Sequence, residues 1–231
     1  MAKFPSPRTI VSLGRTPGGT PLFASRYTRY HWDRTVRAFE KQFPGAKVYI
    51  LQGSYHIGFK PSAGTHDRDA VLDVWVTGVD WREAEFFFRQ QGWKGWWRHT
   101  GSWSAPSQWH IHMISPGTPN AVGDLIPSQL AAYDAGRLGL ARSVDGPDTV
   151  RRPSKVDHFD YQSWCRQLEE ERMNNVQKAR EHFDAAFASA RHGFAYLKLA
   201  AKGRPRVRTA YAAMFTAHSA GWAAYKKLPK S

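Results

Sequence analysis

Apolar positions between Thr28 and Phe43 recur at helical spacing. Tyr30, Trp32, Val36, Phe39 and Phe43 share one side, and Pro44-Gly45 ends the run. Lys47 to Gln52 then reads as a strand. Ala70 to Val76 is rich in β-branched and aromatic residues and predicts a second strand. Alternation along it places Val71, Asp73 and Trp75 on one face and Leu72, Val74 and Val76 on the other. Gln108 to Ser115 predicts a further strand, with His110 and His112 sharing a face.

Asp80 and Glu83 fit a capping box at the start of a helix that runs to Gln91 and is closed by Gly92. Glu83 and Glu85 read there as first-turn acids favoured by the helix dipole. Pro127 to Gly136 predicts a short helix. Residues 1–25, rich in Pro, Gly, Ser and Thr, read as an irregular arm, and Gly139 to Pro153 as a linker. Val156 to Ala201 carries an irregular apolar stripe at helical spacing. After Gly203-Arg-Pro205 a second helical pattern covers Val207 to Leu228. The expected fold is α+β: a small antiparallel sheet with flanking helices over residues 1–150, its core at 28–117, then a basic α-helical hairpin over 151–231.

Composition narrows the function classes. The 231 residues include ten Trp and a single Cys, Cys165, which excludes an internal disulfide framework and cysteine-based zinc. No run of 18 apolar residues is present, so no transmembrane span is expected. The first residues lack an apolar signal core, which predicts synthesis in the cytoplasm without a signal peptide. The formal charge is +14. It is uneven: residues 1–150 hold 17 basic and 12 acidic side chains, residues 151–231 hold 16 and 7. Such a chain attracts polyanions, and an anionic wall polymer or nucleic acid is the expected partner of the basic C-terminal helices.

Chemistry concentrates between Gln52 and His112. His66, Asp73 and the His110/His112 pair have the types that a zinc ion takes while keeping one position open to water. A carboxylate in the middle of an apolar strand needs a partner in any case, because an unpaired buried charge is costly. Trp97 and Trp109, near Lys94 and Arg98, are candidates for stacking on a substrate.

The same residues carry a resemblance. His66, Asp73 and Trp109-His-Ile-His112 resemble the signature Ser-x-His-x-x-Gly-x-Ala-x-Asp, followed by a His or His-x-His on a strand. That signature is shared by the zinc D-Ala-D-Ala metallopeptidases, the L-alanyl-D-glutamate endopeptidases of phage lysis enzymes, and the hedgehog signalling domain. Here Gly64 stands in place of Ser, Asp69 of Gly and Val71 of Ala. The resemblance implies His66, Asp73 and His112 as Zn²⁺ ligands, with His110 beside the metal. It implies substrate contacts from the stretch Gln52 to Tyr55, Gln52 and Tyr55 among them. The family usually has an ionisable residue shortly before the last ligand. The run from Trp103 to Trp109 has none, which leaves His110 or His99 as the acid/base.

The implied activity is zinc-dependent hydrolysis of a peptidoglycan stem-peptide bond by a cell-wall lytic metallopeptidase, of phage or phage-like origin, acting at the wall once released or carried on a virion. One alternative is a catalytically inactive zinc fold serving as a binding or virion protein. Another is a basic nucleic-acid-binding protein.

Overall fold

A computed structural model describes residues 4–55, 65–99, 109–119, 121, 125–139, 146–200 and Thr216. It divides into two compact units, Met1–Trp164 and Cys165–Ser231. The fold is α+β, with two small antiparallel sheets and four helices among the described residues.

The first unit is built on a four-stranded antiparallel sheet. Its strands are β3 (Lys47–Gln52), β4 (Val71–Thr77), β5 (Lys94–Arg98) and β6 (His110–Ile114), in the order β3-β4-β6-β5. Residues 1–25, expected as an irregular arm, instead contain a hairpin of β1 (Ile10–Arg15) and β2 (Pro21–Ser25). The signal was present in the sequence: β-branched and apolar residues flank a Pro17-Gly18-Gly19 turn, and Gly19 takes a positive φ of 87°.

Helix α1 (Arg26–Gln42) follows directly, with Ser25 as its N-cap accepting from the Thr28 N–H. Helix α2 (Trp81–Gln90) begins at Asp80, whose side chain accepts from the Arg82 N–H, and Gly92 follows it with φ 92°. Trp32 and Phe39 from α1 and Phe87 and Phe88 from α2 pack on one face of the sheet. They meet Ile50, Leu72, Val74, Val76, Trp97, Ile111 and Met113. Alternation in β4 and β6 therefore falls as expected.

On the opposite face, α3 (Leu125–Asp134) brings Ile126 and Tyr133 against Val71, Trp96 and Ile114. That cover leaves Asp73, His110 and His112 beside it on the same face.

Two buried polar clusters brace the unit. His31 is neutral: burial lowers its pKa to about 3. Its Nε2–H donates to the Gln91 carbonyl (2.8 Å), and Nδ1 accepts from Ser115 Oγ (2.7 Å). Its ring lies between those of Trp93 and Phe159. Arg89 on α2 pairs with the buried Glu85 and with Asp148 (2.8 Å), and donates to the Gly95 and Val150 carbonyls. Glu85, read from sequence as a first-turn acid favoured by the helix dipole, is a buried ion-pair partner.

Residues beyond 150 belong to the first unit as far as Trp164. The Asp157 N–H donates to the Gln90 carbonyl (2.7 Å), Arg34 pairs with Asp157, and the Tyr161 ring stacks on Tyr27 and Tyr30. Helix α4 (Tyr161–Ala200) supplies the first arm of the expected C-terminal hairpin. The second arm, expected over 207–228, lies outside the described residues, Thr216 excepted. Among the described residues no helix is long and apolar enough to cross a membrane.

Candidate metal centre

Three elements bring the site together. Asp73 sits in mid-β4, and its register partners are His112 on β6 and Gln52 on β3. His66 arrives from the segment before β4. That segment is pinned because Ser54 Oγ exchanges hydrogen bonds with both the N–H and the C=O of Val71. Asp69, where the resembled signature has Gly, lies buried. Its Oδ1 accepts from the Ser25 N–H (2.9 Å) and Thr28 Oγ1 (3.1 Å), tying the start of α1 to the site segment.

One ligand atom each from His66, Asp73 and His112 lie within 4.8 Å of one another, so the cluster could hold a metal ion. His66 Nε2 stands 3.1 Å from Asp73 Oδ2, His112 Nδ1 stands 2.8 Å from Asp73 Oδ1, and His110 Nε2 stands 3.6 Å from Asp73 Oδ2.

The donor set fits a divalent cation. His66 Nδ1 lies 2.9 Å from the Gly53 carbonyl oxygen, which can only accept, so Nδ1 carries the proton. Nε2 is left facing Asp73, buried and without a hydrogen bond despite its nearness to that carboxylate. A buried nitrogen lone pair aimed at a carboxylate oxygen is unfavourable unless a proton or a cation lies between them.

Charge at the site follows from burial and neighbours. Burial alone would raise the Asp73 pKa, but His66, His110 and His112 hold it well below the usual carboxylate range. Burial also works to lower His66. The neighbouring Asp73 carboxylate, the Gly53 carbonyl and Asp67 outweigh it, so His66 titrates above its ordinary value. Burial dominates at His112 and lowers its pKa to about 4. The centre therefore pairs an ionised carboxylate with one imidazole that is neutral at pH 7 and one that takes a proton readily when no cation competes for it.

The other expected residues are dispersed. Gln52 lies opposite Asp73 at the end of β3. Tyr55 is half-buried with φ 59°, and its N–H donates to the Arg68 carbonyl (3.2 Å). Trp97 is buried in the core on the helix side of the sheet. Trp109 packs against that core, its ring edge-on to Trp97 at 6.1 Å. The reason is alternation: a residue next to Arg98 or His110 points away from the face that carries the histidines. His99 is exposed and lies against Trp81 and Trp97, so it too is not brought to the cluster.

The Gly53 carbonyl was not singled out in the sequence, and a bare glycine carries no signal for such a role. A Cβ there would come 2.8 Å from the Phe23 carbonyl oxygen and 3.2 Å from the Phe23 nitrogen. Gly53→Ala is expected to push β2 and the acceptor of His66 apart. It should cost about 1–3 kcal/mol of stability, as overpacking does, and weaken metal binding with it. Denaturant unfolding and a metal titration on the same variant check both; a variant with unchanged affinity would show that this carbonyl does not hold His66.

Comparison of the chain with protein-family models, curated proteins and solved structures finds no match among them.

Proposed function

We propose that this protein is a zinc-dependent peptidase of the peptidoglycan stem peptide, with His66, Asp73 and His112 as the zinc ligands. The observation that carries the reading is the convergence of those three side chains on one face of the sheet, within 4.8 Å, with a buried His66 nitrogen left without a hydrogen bond. Two imidazoles and one carboxylate suit zinc and leave a position for water. The sequence resemblance adds the substrate class. When bound, zinc there supplies Lewis-acid activation of a water and of a peptide carbonyl.

The chain's own residues do the rest. Asp73 stays ionised and balances the ion's charge. His110, buried at the edge of the ligand set, is the side chain placed to take and return a proton. Gln52, opposite Asp73, is placed to contact substrate. The net charge of +14 suits retention near an anionic wall after release from the cell in which the protein is made, or on a virion.

A second reading keeps the zinc and drops the catalysis. The position of His99, away from the cluster, favours it, because His110 alone then remains to move protons.

The test uses the full chain with purified peptidoglycan and measures zinc content and released stem peptides together. One equivalent of zinc, with peptide release lost in chelator and in His110→Ala, supports the peptidase. Zinc at one equivalent with no peptide released leaves the binding protein. Absence of zinc binding sinks both readings.

A further inference from the structure

We propose that Gln129 on α3 is a positioning residue for the metal ligand His112, an inference that rests on the metal-centre reading above. His112 Nε2, the nitrogen that faces away from Asp73, lies 3.2 Å from Gln129 Oε1. On the other side of the ring the Asp73 carboxylate, 2.8 Å from Nδ1, competes for the proton of the neutral ring while no cation is bound. A cation that takes Nδ1 requires the proton on Nε2, and the Gln129 amide oxygen, which can only accept, is the partner that receives it there.

The orientation of the Gln129 amide is itself fixed. Its Nε2 donates to the Gly139 carbonyl at 3.3 Å. Gly139 has φ 66°, and a Cβ there would come 3.1 Å from the Trp96 ring. Trp96 Nε1 donates to the Arg137 carbonyl (2.9 Å) and Arg98 Nη1 to the Leu138 carbonyl (2.8 Å). Trp96 and Arg98 are in turn the register partners of His112 and His110. Strand β5 thus anchors residues 137–139, these anchor the Gln129 amide, and the amide offers His112 Nε2 the acceptor that a cation on Nδ1 requires.

Remove the acceptor, and a ring whose Nδ1 is taken by a cation keeps a buried Nε2–H without its partner, which favours return of the proton to Nδ1 and Asp73 over binding of the cation. Partners on the outer nitrogen of a ligating histidine typically contribute 10–100-fold to metal affinity.

Zinc affinity, measured by competition with a chromophoric chelator, is compared among the full-length wild type, Gln129→Leu and Gln129→Glu. Gln129 is half-buried, so leucine fits. Gln129→Leu should bind about 10–100-fold more weakly. Gln129→Glu keeps an acceptor for His112 Nε2 while giving up the bond to Gly139, and should bind more tightly than Gln129→Leu. Long-range proton–nitrogen NMR of the zinc-loaded wild type should show the His112 proton on Nε2, held in a hydrogen bond. Equal affinity in wild type and Gln129→Leu would overturn the inference alone. So would equal weakening in both variants, which marks packing rather than hydrogen bonding. A wild type that binds no zinc would overturn the metal centre and this inference together.

Discussion

Asp73→Asn is expected to lose metal affinity steeply while the chain stays folded. The substitution preserves shape and removes the one charge that His66, His110 and His112 surround. Loss of a ligand exceeds loss of an outer partner, so the expected drop in zinc affinity is on the order of a thousandfold or more. In the wild type, zinc at a hundred times its dissociation constant should stabilise by about 2.7 kcal/mol. For a chain of this size that is roughly 5–10 °C in Tm. Asp73→Asn should show none of this shift. A variant that keeps the shift would place the ion elsewhere.

The pH dependence has a defined sign. In the metal-free protein His66 titrates above 6.5, so its contribution to stability is full below 6.5 and lost as pH rises through its folded value. His112, lowered to about 4, acts oppositely: its contribution is present above 6.5 and lost as pH falls through about 4. Zinc must displace the His66 proton, so affinity should fall as pH drops through the raised His66 value. A titration between pH 6 and 8 reads it directly, and a flat profile would contradict the assignment of His66 as a ligand.

Arg89→Met should cause the largest loss of stability, about 3–5 kcal/mol at pH 8, because it strands buried carboxylates without their cation. The Glu85 and Asp148 side chains are 1% and 2% exposed, and both rely on the same guanidinium. Burial already raises Glu85 to about 7 with Arg89 present. A carboxyl so raised contributes stability that is full below 4.5 and lost as pH rises through about 7. Without Arg89 the dependence should steepen, and the variant should lie closer to wild type at pH 5 than at pH 8. Urea unfolding at both values decides; a deficit below about 1 kcal/mol at pH 8 would mean that the triad behaves as a surface pair.

The sequence carried the strands and the members of the His66–Asp73–His112 cluster, for a physical reason. Period-two alternation is set by backbone geometry: it grouped His110 with His112 and set Asp73 apart from Leu72 and Val74, and strand pairing then brings the two groups to one face. The same rule turns Trp109, next to His110, and Trp97, next to Arg98, to the other face; reading them as substrate platforms overrode it with residue type alone. Partners across the fold were not legible. Gln129 meets His112, and Gly53 meets His66, only through chain reversals that no local pattern encodes. The register of α3 and the return of residues 146–160 to Gln90 and Arg34 are likewise tertiary facts. Glu85 shows the limit most plainly: a helix-dipole acid by position, it becomes a buried partner because α2 lays that side against β5.

The Tyr161 hydroxyl donates to the Pro5 carbonyl at 2.7 Å. Residues near the two ends of the first unit thus meet. Domains with adjoining ends tolerate insertion into a loop of an unrelated host. Inserted into a loop of such a host, the first unit is expected to carry its His66–Asp73–His112 cluster with it.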